Sequence, residues 1–171
     1  MENQGQHEDP TPSVCFRREE VELFQSFENQ TLIEVNYYLW LDVTLAASEG
    51  PYRFLYALEL VFESGEALLL SSGEDSEAIR VISAEVLLET ATRLQQLHGQ
   101  PTIQRIRRSD QGFWTEIVGG KLAAIQLARH ESGLYLNEAL MLDFGATGIV
   151  VELPEAGEGL EIREVNLSAG S

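Results

Sequence analysis

Strict alternation in "YYLWLDVTL", residues 37–45, limits this chain more than any other feature. Leu39, Leu41, Val43 and Leu45 alternate with Tyr38, Trp40, Asp42 and Thr44. Period two, with aromatic and β-branched residues, specifies a strand that buries one face. "ASEGP" then turns the chain and "YRFLYALELVF" returns it, with Leu58, Leu60 and Phe62 on one side and Glu59 and Glu63 on the other. "ESGE" is a hairpin turn, followed by "ALLLSS", an acidic loop and "AIRVIS". Glycine supplies the positive φ that such turns need.

Much of this pattern returns after residue 119. Gly50 and Tyr52 match Gly133 and Tyr135 at an offset of 83, while Ala57, Leu58, Leu60 and Phe62 match Ala139, Leu140, Leu142 and Phe144 at 82. Gly65, Leu70, Ile79 and Arg80 then match Gly148, Leu153, Ile162 and Arg163 at 83. Unrelated meanders with glycine turns also share alternating leucines. The near-constant offset and the Ile-Arg pair favour an internal duplication, about 32–82 against 119–166. Two similar antiparallel meander halves imply a closed barrel or two packed sheets, and either solves the edge-strand problem. One firm helix is expected at about 83–98. Ser83 can cap it, Glu85 suits its first turn, and Gly99 with Pro101 ends it. Ala84, Leu87, Leu88, Ala91 and Leu94 form its apolar stripe.

The remaining strands are expected in "TIQRIRR", "FWTEIV", "KLAAIQLAR", "YLNEALMLDF", "GIVVEL" and "GLEIREV". Residues 15–30 fit neither helix nor strand periodicity, so a short helix and a first strand both stay open. Residues 1–13 are polar and carry two prolines, the composition of a disordered tail. The fold class is therefore mainly β (β-rich α+β), a single domain over 14–167.

Charge narrows the function. The chain of 171 residues carries 28 acidic and 11 basic side chains, a formal net charge of -17. Such a surface repels phosphate backbones, so nucleic acid is not an expected partner, whereas a basic protein is. The lone Cys15 permits no intramolecular disulfide and suits a reducing compartment. The amino terminus lacks a secretory signal and no apolar run is long enough for a membrane span, so a cytoplasmic location is expected.

No catalytic or metal motif emerges. Glu74, Asp75 and Glu77 in "SSGEDSE" lack the ligand spacing of a calcium loop, and the counterpart "PEAGEGLE" keeps carboxylates without the same order. His7, His98 and His130 have no second ligand at metal spacing. No nucleophile elbow or phosphate loop is present, and "VGGK" reads as a bend. No cofactor is expected.

The candidate binding surface is the aromatic and acidic strand face of Tyr38, Trp40 and Asp42, with Glu74, Asp75 and Glu77 as rim charges. Alternatively, the helix covers the aromatics. A second candidate patch is Arg105, Arg107 and Arg108 beside Phe113 and Trp114, residue types common at binding hot spots. Those arginines would otherwise pair with the chain's own carboxylates. The function expected is non-catalytic: an acidic protein-interaction module of inhibitor or immunity type for a basic partner. The alternative is a small-ligand-binding β-barrel with Asn36, Arg53 or Asn137 in its interior. An enzyme of unrecognised type ranks third.

Overall fold

The computed structural model describes residues 11–42, 52–73 and 75–167. Its first half contains α1 (Arg18–Phe27), β1 (Leu32–Asp42), β2 (Tyr52–Phe62), β3 (Ala67–Ser71) and β4 (Arg80–Val81). The helix α2 (Ala84–His98) and the strand β5 (Ile103–Arg107) follow. The second half contains α3 (Trp114–Ile117), β6 (Ala124–Gln126), β7 (Ala139–Asp143), β8 (Thr147–Glu152) and β9 (Glu161–Asn166). Two antiparallel sheets result, ordered β4-β3-β2-β1-β5 and β6-β7-β8-β9, and they are not closed into a barrel. Of the two architectures the sequence allowed, the two-sheet form is the one adopted.

The alternating leucines do what their period demands. Leu58, Leu60, Phe62, Leu68, Leu70, Leu142, Ile149 and Val151 are all fully buried in one core between the sheets. Phe24 and Phe27 of α1, with Trp114 and Ile117 of α3, complete it. The expected strand at "FWTEIV" is instead a single helical turn. Trp114 and Ile117, three apart, share one buried face, which a strand would send to opposite sides.

The halves correspond beyond the leucines. Leu58 faces Leu70 and Leu60 faces Leu68, just as Leu140 faces Val151 and Leu142 faces Ile149. Phe62 bonds Glu66 across the first turn and Phe144 bonds Thr147 across the second, which is thus one residue shorter. The turn glycine of the second half is therefore Gly145 (φ 98°), which matches Gly65 (φ 92°) in role rather than in register, and not Gly148. Gly148 sits inside β8, where Met141 and Val165 leave no room for a Cβ. The structural counterpart of Leu70 is consequently Val151, and that of Ile79 is the buried Leu160.

Hydrogen bonds between the halves are reciprocal. Thr31 bridges Lys121 at the centre. Leu32 N–H donates to Gly120 O and Leu122 N–H donates to Gln30 O, both at 2.9 Å. Beyond them, Asn29 N–H reaches Leu122 O and Gly119 N–H reaches Leu32 O, at 2.5 and 2.7 Å. Asn29 and Gly119 both take positive φ. At the far end Ile79 N–H donates to Asn137 O (2.9 Å) and Leu160 N–H donates to Leu55 O (2.8 Å). Each half thus gives the other the same kinds of backbone bond. In each half a helix, α1 or α3, comes just before four strands that form an antiparallel meander.

The helix α2 starts and stops where its caps dictate. Ser83 Oγ accepts from Val86 N–H, and Gly99 closes the end in the left-handed region. Its buried positions are Leu87, Thr90 and Leu94, and Leu88 is 68% exposed. The stripe is narrower than expected because, among the described residues, α2 packs on one sheet face. Ser13, assigned by composition to a disordered tail, is tied down through its carbonyl, which accepts from Asn137 Nδ2 (2.8 Å) and Arg80 Nη2 (3.1 Å).

Candidate functional site

The outer face of the larger sheet brings two sets of candidate residues together. Tyr38 and Arg105 are direct cross-strand partners, as are Asn36 and Arg107. Trp40 stacks on Phe54 at 5.4 Å and tilts against Tyr56 at 5.3 Å. With Tyr38, Ile82 and Ile103 these rings surround a small core of Tyr56, Ala57, Leu69 and Leu87 of α2. The helix therefore takes much of the aromatic face for packing. Tyr38 and Trp40 remain half-buried, and Asp42 closes β1 with its side chain outside the described residues.

Beside the aromatics lies a polar network. Asn36, with no exposed surface, donates through Nδ2 to Glu34 Oε2 (2.9 Å) and Glu59 Oε1 (2.8 Å). Arg105 donates to Glu34 at 3.1 Å and stands 3.8 Å from Glu59. Tyr38 Oη lies 3.4 Å from the same Glu59 oxygen. Burial raises the Tyr38 pKa and the Glu59 carboxylate adds to the shift, with Arg105 opposing. Burial acts to lower the Arg105 pKa, but Tyr38, Glu59 and Glu34 outweigh it and the net shift is upward.

The arginine patch does not hold together. Arg105 is drawn into the network above and Arg107 is exposed on the same strand. Arg108 lies over the Tyr37 ring on the core side, 4.9 Å from its centroid. Trp114 is buried and donates its indole N–H to Tyr37 Oη at 2.8 Å. Burial raises the Tyr37 pKa against the opposing Trp114 hydrogen bond and Arg108 charge. Arg105 and Arg108 thus serve the chain's own groups.

The interior polar candidates are structural too. Asn137 binds Ser13 through its side chain and Val14 and Ile79 through its backbone. Asn36 holds two carboxylates, and its Oδ1 is buried without a partner. The Arg53 side chain lies outside the described residues, and no barrel interior exists to receive it.

The acidic loop gains most from the fold. Glu74 lies outside the described residues. Asp75 and Glu77 are exposed, and Asp75 Oδ1 accepts Glu77 N–H at 3.2 Å, closing a local turn. The counterpart loop between β8 and β9 carries exposed Glu155 and Glu158, followed by exposed Glu161. Gly159 N–H donates to Ser76 Oγ at 2.9 Å and joins the two loops directly. Gly159 is held at φ 81°, and a Cβ there would stand 2.5 Å from Leu55 O. Two acidic stretches about eighty residues apart in sequence thus meet at one junction, and the reciprocal exchange between the halves is what brings them there. Reasoning along the chain missed this. Its one signal was that both loops occupy the same place in the repeat.

Among the described residues no group of three or more His, Cys, Asp and Glu is arranged to hold a metal ion. Among the same residues no helix is long and apolar enough to cross a membrane. A surface cleft of about 380 Å³ runs between α1 and β6, lined by residues including Phe24, Glu28, Ile125 and Tyr135. No family model, curated protein or solved structure matches the chain, so geometry alone carries the functional reading.

Proposed function

We propose that the protein is a non-catalytic interaction module that captures a basic partner through its joined acidic loops. The observation that carries this reading is the Gly159–Ser76 hydrogen bond, which places Asp75 and Glu77 on one side of a junction and Glu155 and Glu158 on the other. The net charge of -17 leaves at least 17 carboxylates without a basic side chain of the chain's own. The ion pairs at Arg80, Arg105 and Arg163 take up carboxylates at other places: Glu20, Glu34, Glu59 and Glu152. Like charges brought together raise the local potential, which speeds encounter with a cationic surface and repels phosphate backbones. An inhibitor or immunity-type role is the form this chemistry suits best, because blocking a basic site needs rapid, charge-guided association.

Affinity capture from source-cell extract at low salt, followed by elution with a salt gradient, tests the proposal. A basic protein should be retained and released by salt. If no basic protein is retained, or the retained protein is insensitive to salt, the proposal fails.

A further inference from the structure

The two halves exchange reciprocal backbone bonds, yet among the described residues only the larger sheet has a helix over its outer face. On the larger sheet, Leu87 of α2 packs over Ala57 and Leu69, leaving them 0% and 4% exposed. Cross-strand register identifies their counterparts on the smaller sheet as Ala139 and Val150. Both are only half-buried, because no helix of the described chain lies on them. Around them is a shallow depression of about 330 Å³, lined by Leu127, Ala128, Ala139, Met141 and Val150, with Gln126 its one polar side chain. Small and flexible apolar residues of this kind accept a helix as Ala57 and Leu69 do.

Charge decides what can lie there. Asp143, Glu152 and Glu161 occupy the same face by register, and its basic group, Arg163, is already tied to Glu152 at 2.8 Å. A second copy of this chain would bring another -17 charges to an acidic rim and be repelled. Anionic lipid and nucleic acid are disfavoured for the same reason. A helix with an apolar stripe and flanking lysines or arginines satisfies both the depression and the rim.

We infer that the outer face of the smaller sheet is a docking site for a basic amphipathic helix of a partner protein, laid where α2 lies on the other sheet. The inference rests on the acidic-module reading and names a surface for it distinct from the loop junction.

The test uses the full chain and a Leu/Ala/Lys amphipathic peptide of about 18 residues, with a version in which Glu replaces Lys as the charge control. Fluorescence anisotropy should show binding of the Lys peptide alone. Met141→Gln with Val150→Thr, which removes apolar surface without changing charge, should weaken it by about tenfold or more. Leu88→Gln, on the outward side of α2, should leave it within about twofold. Ala139→Gln, which puts a larger polar side chain on the same spot with no change of charge, gives the same test in a single change and should weaken binding likewise, so early melting of the double variant does not remove the readout. Undiminished binding to both folded variants overturns the docking site. Loss confined to charge reversals at Asp75, Glu77, Glu155 and Glu158 also overturns it while supporting the loop junction. No binding of the Lys peptide at low salt overturns both.

Discussion

Gly159→Ala separates the loop junction from the rest of the fold. At φ 81° an alanine costs about 1–2 kcal/mol in the left-handed region. Its Cβ would also stand 2.5 Å from Leu55 O and 2.6 Å from Phe54 Cδ1. The first is backbone and cannot turn aside, so the loop must move outward. Movement breaks Gly159 N–H to Ser76 Oγ and strains Leu160 N–H to Leu55 O, hydrogen bonds worth about 0.5–1.5 kcal/mol each. The total is about 2–5 kcal/mol, a fall in Tm of roughly 4–20 °C for a domain of this size. Ser76→Ala removes only the side-chain acceptor and should cost about 0.5–1.5 kcal/mol. Differential scanning calorimetry on the two variants gives the comparison. A Gly159→Ala melting point within about 2 °C of wild type, or one equal to that of Ser76→Ala, would refute the close packing of the loops.

Two further outcomes follow from buried groups. Glu20 is 6% exposed, and its carboxylate accepts from Arg80 Nη1, Arg17 N–H and Val81 N–H at 2.7–2.9 Å. Glu20→Ala leaves the half-buried Arg80 guanidinium without its carboxylate, held by the Ser13 and Cys15 carbonyls alone, so chemical denaturation should show a loss of about 3–5 kcal/mol; a loss under about 1 kcal/mol contradicts the pairing. Tyr37 and Tyr38 both have pKa values raised above 10.0. The folded state keeps protons that the unfolded chain gives up. The stability these tyrosines contribute is therefore present below pH 10 and lost as pH rises through their raised folded values. Tyr38→Phe should flatten the alkaline fall in stability, and an unchanged slope above pH 10 counts against the buried phenol.

What the sequence revealed was set by the range of the interactions involved. The helix α2 was legible to the residue because its caps, Ser83 and Gly99, act locally. The alternating leucines of β2 and β7 announced the core because a strand has only two faces. By contrast α1 mixes Phe24 and Phe27 with a buried Glu20, whose partner Arg80 lies sixty residues away. No local pattern explains an acid at that position. The register of the repeat went astray because Gly65 and Gly148 are the same residue type in different roles, while the true turn glycine, Gly145, belongs to a shorter loop. Likewise the shared Ile-Arg pairs serve different ends: Arg80 is held by Glu20, and Arg163 lies on the surface with Glu152. Tyr38 and Arg105 were each singled out, but their meeting depends on β5 pairing with β1 from the far side of α2. The meeting of the acidic loops depends on the reciprocal exchange between halves. It is a property of the assembled fold, carried by Ser76 and Gly159, neither of which is charged.

In the proposed function, position and not total charge alone makes the acidic loops the capture surface. Stopped-flow association with the basic partner recovered by salt elution tests it directly. Lysine at Asp75, Glu77, Glu155 and Glu158 is compared with lysine at Glu19, Glu22, Glu89 and Glu116, which are exposed elsewhere and change the net charge equally. Reversal at the loops should lower the association rate constant by about tenfold to a hundredfold at low salt, with the control set within about threefold of wild type. Equal losses in the two sets would contradict the claim and reduce the acidity to a general property of the surface.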